Sequence, residues 1–179
     1  MFLYLSAVLL PFTHDLEHKQ PAVRHIILNS LKLSNNTADF CLGLLKYHNE
    51  IIDMCHNPNS TRKEIGLLIR KISILNPTRY DLCIFVALII DCTRSGYTNI
   101  EDISKLAQLY EEFIQKIDKL GLQNCHLLQP LLNGKEICKI LGIKPGPSIG
   151  VFLQQLIEHQ LENPDLSVES AIKYIKKEN

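Results

Sequence analysis

Wherever apolar residues cluster in this chain they recur every three to four positions, and each stretch is closed by a proline, a glycine or a capping side chain. That period places them on one face of an α-helix, and no two-residue alternation of a half-buried strand competes with it. Pro21 can open a helix running to Leu33, with Val23, Ile26, Ile27, Ser30 and Leu31 on one face. Asn36 can cap the next, whose stripe Phe40, Leu44, Tyr47 and Ile51 continues to Cys55 before Pro58. Thr61 with Glu64 forms a capping box ahead of Ile65, Leu68, Ile69 and Ile72, and Asn76-Pro77 stops that helix. Thr78 then caps a buried helix from Arg79 to Thr93, built on the apolar run Leu82 to Ile90. Thr98 with Glu101 reads as a further capping box, opening a helix from Glu101 to Leu120 with Ile103, Leu106, Leu109 or Tyr110, Phe113, Ile117 and Leu120 on one side and Gly121 as its stop. The expected fold class is all-α: an array of about eight or nine helices, with a body over residues 1–122 and a small helical tail over residues 123–179.

Composition sets the outer bounds. With 179 residues and 46% hydrophobic content the chain can bury a core, and 21% charged residues suit a globular protein. The formal net charge is zero, so a phosphate-rich partner would be met by a local patch and not by the whole surface. A mild basic excess between Lys19 and Arg79 reads equally as a solvated helical surface or a docking face. The six cysteines show no Cys-x-x-Cys spacing, and Cys41, Cys83 and Cys138 sit among apolar neighbours, so buried thiols in a reducing intracellular compartment are expected. His14, Asp15 and His18 make a poor metal set in a polar turn, and no metal site is assigned. Neither the apolar opening Met1 to Leu10 nor Leu82 to Ile90 is long enough to span a bilayer, and the opening lacks a basic n-region and a cleavage site. Its abrupt apolar start looks like part of a longer protein.

The segment from Pro130 to Val151 is the one that reads as a signature. After Asn133-Gly134, Ile137, Ile140 and Leu141 recur at helical spacing, Gly142 supplies a left-handed stop, and Pro145-Gly146-Pro147 restarts the chain. The second helix carries no acid until Glu158 and has Lys144 just upstream, so its first N–H groups are left for an outside anion such as phosphate.

These residues, Leu132-Asn133-Gly134-Lys135-Glu136 and Leu141-Gly142-Ile143-Lys144-Pro145-Gly146-Pro147-Ser148-Ile149-Gly150, resemble the C-terminal tail of the CCA-adding tRNA nucleotidyltransferases. Upstream, Leu9-Leu10-Pro11-Phe12 and Leu31-Lys32-Leu33-Ser34-Asn35-Asn36 look like the body of the fungal-type members. In that family an N-terminal head performs the chemistry, with a Gly-Ser turn and an Asp-x-Asp pair holding two metal ions. Neither is found here: Asp15-Leu16-Glu17 has the spacing without the turn or a strand, and Glu101-Asp102-Ile103-Ser104-Lys105 only approaches the nucleotide-reading Glu-Asp-x-x-Arg. The resemblance therefore implies a body and tail without catalytic residues, inactive alone, with Mg²⁺ and CTP or ATP bound by a head on the same longer protein or on another chain. It implies tRNA as partner, no membrane, and the cytoplasm, nucleus or mitochondrion as compartment. Phosphate and 2′-OH contacts would fall to Lys135, Lys139, Lys144, Gly146, Ser148 and Gly150. Lys173, Lys176 and Lys177 read as a solvated helix end. The alternative is a non-catalytic helical adaptor that meets protein instead of RNA.

Overall fold

The computed structural model of the chain describes residues 2–12, 16–17, 20–75 and 80–177. It is all-α, with helices α1 (Phe2–Leu9), α2 (Ala22–His25), α3 (Asn35–Lys46), α4 (His48–His56), α5 (Arg62–Leu75), α6 (Tyr80–Ser95), α7 (Ile100–Lys119), α8 (Gly134–Leu141), α9 (Ser148–Glu162) and α10 (Val168–Lys177). A two-residue antiparallel ladder pairs Leu16–Glu17 with Gln20–Pro21, too short to show as an alternation in the sequence. His14, Asp15, His18 and Thr78 lie outside the described residues.

α6 is the axis of the body, touching α1, α3, α4, α5 and α7. Its apolar run explains this: Cys83, Ile84, Val86, Ala87 and Ile90 are buried on several sides at once, as a central helix requires. Around it Val23, Ile27, Ile51, Ile69 and Ile117 are fully buried, each contributing about 2–3 kcal/mol through removal of apolar surface from water. A second, smaller core gathers Leu132, Ile137, Leu156, Ala171 and Ile175 from α8, α9, α10 and the loop before α8. α9 runs through both: Ile157 and Leu161 pack in the first core, Leu156 in the second.

Several caps fall where the sequence places them. Thr61 and Glu64 form the reciprocal box at the start of α5, with the Glu64 N–H 3.2 Å from the Thr61 hydroxyl and the Thr61 N–H 2.7 Å from Glu64 Oε2. Gly121 and Gly142 adopt φ of +64° and +66°, the left-handed turn that stops α7 and α8. Four expectations are corrected. Ser34, not Asn36, caps α3 by accepting the Thr37 N–H at 3.2 Å, and Asn99, not Thr98, caps α7 by accepting the Asp102 N–H at 2.8 Å. The helix expected from Pro21 to Leu33 is α2 followed by a π-turn, Ile26–Ser30, where the Leu31 N–H reaches back to Ile26 O at 2.9 Å. The helix expected to pass through Tyr47 divides there: the buried ring of His48 lies 2.5 Å from Leu45 O and competes for a carbonyl that the helical ladder would use.

Candidate nucleic-acid interface

The start of α8 is satisfied from within. Asn133 Oδ1 accepts the N–H groups of Lys135 and Glu136 at 3.0 and 3.1 Å, and Glu136 Oε2 accepts the Asn133 N–H at 2.7 Å. This capping box was legible as Asn followed three residues later by Glu, and the sequence reading missed it. Gly134 has a second role: a Cβ there would lie 3.0 Å from Ile149 Cγ2, so the absent side chain lets the start of α9 close on the start of α8.

The turn after Gly142 delivers Lys144 and Pro145 to the surface, and α9 begins at Ser148 behind Pro147, which has helical φ and ψ and no N–H to offer. The Ile149 and Gly150 N–H groups, expected to face an outside anion, instead turn inward to Gly146 O and Pro147 O, each at 3.1 Å. The Ser148 N–H and hydroxyl find no acceptor among the described residues. A Cβ on Gly150 would meet nothing within 4 Å, so this glycine is not needed for helix packing.

Between the two helix starts lies an open cleft of about 720 Å³, lined by Asn133, Lys135, Cys138, Pro145, Gly146 and Ile149 among others. Lys135 and Gly146 thus share one wall-to-wall space, whereas Lys139, Lys144, Ser148 and Gly150 are exposed beside it without lining it. Cys138 is half-buried on the cleft wall rather than in the core, a correction that follows from its position on the face of α8 turned to α9. Among the described residues no carboxylate pairs with Lys135, Lys139 or Lys144; the ion pairs of the tail, Lys63 with Glu162 at 2.7 Å and His159 with Glu162 at 3.9 Å, sit at the other end of α9. The cleft thus carries the exposed Lys135 on its wall, with the exposed Lys139 and Lys144 next in sequence to its lining residues Cys138 and Pro145.

Elsewhere, Glu101 pairs with Lys105 at 2.8 Å and Asp102 accepts from Asn99 at 2.7 Å, so the Glu-Asp-x-x-Lys stretch serves the start of α7. Among the described residues no group of three His, Cys, Asp or Glu side chains is placed to hold a metal ion, and no helix is long and apolar enough to cross a membrane. Burial keeps the core thiols protonated: Cys55 is pushed up to about 12 by burial and by nearby Asp91, and Cys83 and Cys125 to about 11, chiefly by burial.

No family model and no solved structure matches the chain. Its similarities are to fungal proteins. A tRNA nucleotidyltransferase of Schizosaccharomyces pombe is 30% identical over 131 residues, 72% of this chain and 25% of that protein. The mitochondrial CCA tRNA nucleotidyltransferase of Saccharomyces cerevisiae is 27% identical over 155 residues, 84% of this chain and 28% of that protein. The counterpart from Candida glabrata is 22% identical over 176 residues, 96% of this chain and 32% of that protein. The chain spans between 25% and 32% of the length of these three curated relatives. Over most of its length, then, the chain is a homologue of part of the fungal CCA tRNA nucleotidyltransferases.

Proposed function

We propose that these residues form the tRNA-holding body and tail of a CCA-adding enzyme, body over 1–122 and tail over 123–179. A head outside these residues would bind Mg²⁺ and CTP or ATP and extend the tRNA 3′ end. The observation that carries the reading is the cleft between α8 and α9, with exposed Lys135 on its wall and exposed Lys139 and Lys144 next in sequence to its lining residues Cys138 and Pro145. Such a site recognises backbone and shape: ammonium groups neutralise phosphates, while Ser148 and the Gly146 turn approach an RNA backbone closely enough to contact a phosphate or 2′-OH. Holding the elbow of folded tRNA there would set how far its 3′ end reaches. The compartment follows the tRNA: cytoplasm, nucleus or mitochondrion.

Hydroxyl-radical footprinting on folded tRNA tests this. Protection clustered at the elbow, and reduced by Lys144→Glu, is expected; protection scattered evenly along the RNA would sink the reading. The chain alone should incorporate no nucleotide into tRNA, and incorporation would overturn the assignment of catalysis to a separate head. One observation favours the rival protein-binding reading: an apolar cleft of about 420 Å³ between α6 and α7, where Phe85 and Ile114 are 48% and 36% exposed and the only charged residues are Asp81 and Glu111. If the chain is an adaptor, it is indifferent to tRNA.

A further inference from the structure

The first turn of α5 gathers the ends of two other helices. Arg62 donates from Nε to Leu120 O at 3.3 Å, at the end of α7, and from its guanidinium to Leu161 O in the last turn of α9. Both carbonyls belong to helix C-termini, where the backbone has no partner of its own and the dipole favours a cation. One planar guanidinium, its donors in a fixed fork, therefore fastens the body helix α7 and the tail-bearing helix α9 to the same point. Its neighbours tighten the joint. Lys63 pairs with Glu162 at 2.7 Å, and a Cβ on Gly66 would lie 2.8 Å from Leu161 Cδ2, so α9 packs directly on the backbone of α5.

The segment leading into the tail is held from both sides. Arg70 donates to Cys125 O and Leu128 O at 2.6 and 2.9 Å, while Gln160 accepts the Leu131 N–H at 2.9 Å and donates to Gln129 O at 3.1 Å. Since α9 runs through both cores, fixing its C-terminal end fixes the tail lysines at its other end.

We infer that Arg62 is a positioning residue: it sets the angle at which α8 to α10 stand on the body, and so makes the distance from the body surface to the Lys135, Lys139 and Lys144 cluster a fixed ruler. The ruler's use rests on the RNA-holding reading; the joint does not.

The test uses the full chain and its Arg62→Ala and Arg62→Lys variants, read by hydrogen exchange and by binding to RNA stem-loops that copy the acceptor and T arms at native length and with the stem shortened or lengthened. Losing charged hydrogen bonds to two partly buried carbonyls should speed exchange in 134–177 on the order of tenfold in Arg62→Ala and less in Arg62→Lys, with α3, α4 and α6 unchanged. The unsubstituted chain should favour the native-length arm, and Arg62→Ala should bind all three arms alike. Tail exchange at the unsubstituted rate, or acceleration spread evenly over body and tail, would overturn the joint. Equal binding of the three arms by the unsubstituted chain would overturn the ruler. If that chain also shows no preference for folded tRNA over unstructured RNA, the RNA-holding reading falls, while the exchange data still decide whether Arg62 fastens the tail.

Discussion

Asp91 is the one buried carboxylate among the described residues of the body. One of its oxygens lies 2.7 Å from His56 Nε2 and accepts from the Tyr110 hydroxyl at 3.1 Å, with Asp91 and Tyr110 only 8% and 2% exposed. Removing the acceptor strands a buried hydroxyl, so Asp91→Ala should cost about 2 kcal/mol and Tyr110→Phe about 1 kcal/mol or less, measured by urea unfolding. The same surroundings set an alkaline limit. Burial, with Cys55 and Asp91 nearby, pushes the Tyr110 phenol well above its ordinary value of 10.0, and burial pushes the Cys55 thiol from 9.0 to about 12. Above about pH 9 the unfolded chain then releases protons that the fold retains, so stability is complete below that pH and falls as pH rises. The urea midpoint should decline from about pH 9, and Tyr110→Phe should flatten the part of the decline above about pH 10. A midpoint constant to about pH 11 would contradict this. Half-buried Cys92 and Cys138 should also react with thiol reagents before Cys41, Cys55, Cys83 and Cys125, as mass spectrometry of partly labelled protein would show.

At the scale of the elements, the caps show what local chemistry determines. The Thr61–Glu64 box and the stops at Gly121 and Gly142 were readable because each needs only a residue type and a spacing. Ser34 against Asn36, and Asn99 against Thr98, could not be told apart by residue type: each is a good capping residue, and the observed caps differ from the expected ones by only one or two positions. The break at Tyr47 was invisible for another reason, since it depends on where the His48 ring is buried. The glycines of the candidate site give a sharp prediction. Because a Cβ at position 150 meets nothing and the backbone there is helical, Gly150→Ala should stabilise the free protein by about 0.5–1 kcal/mol. If the start of α9 meets an RNA backbone, the same change should weaken RNA binding. Asn133→Ala should cost about 1 kcal/mol, with faster exchange confined to α8. Circular dichroism melts and exchange mapping of the two variants check both statements.

For the whole molecule, the helical class and the signature from Leu132 to Gly150 were legible in the sequence, and the similarity to fungal tRNA nucleotidyltransferases extends over most of the chain. The cleft itself was legible only in part. Lys135 and Gly146 meet across it because Gly134 admits Ile149, a contact between residues 15 positions apart that no periodicity announces. Nor did the sequence announce that Arg62 would hold the ends of α7 and α9, since its partners are backbone carbonyls 58 and 99 residues away. We propose that the cleft holds folded RNA, which fluorescence polarisation tests most directly, with folded tRNA lacking its CCA end, at low and physiological salt, against unstructured RNA of equal length. Selective binding of folded tRNA that weakens steeply with salt is expected, and in a Lys135→Glu, Lys139→Glu, Lys144→Glu variant the salt slope should be smaller by about one for each lysine that meets a phosphate. Equal affinity for the two RNAs at physiological salt, unchanged in that variant, would contradict it.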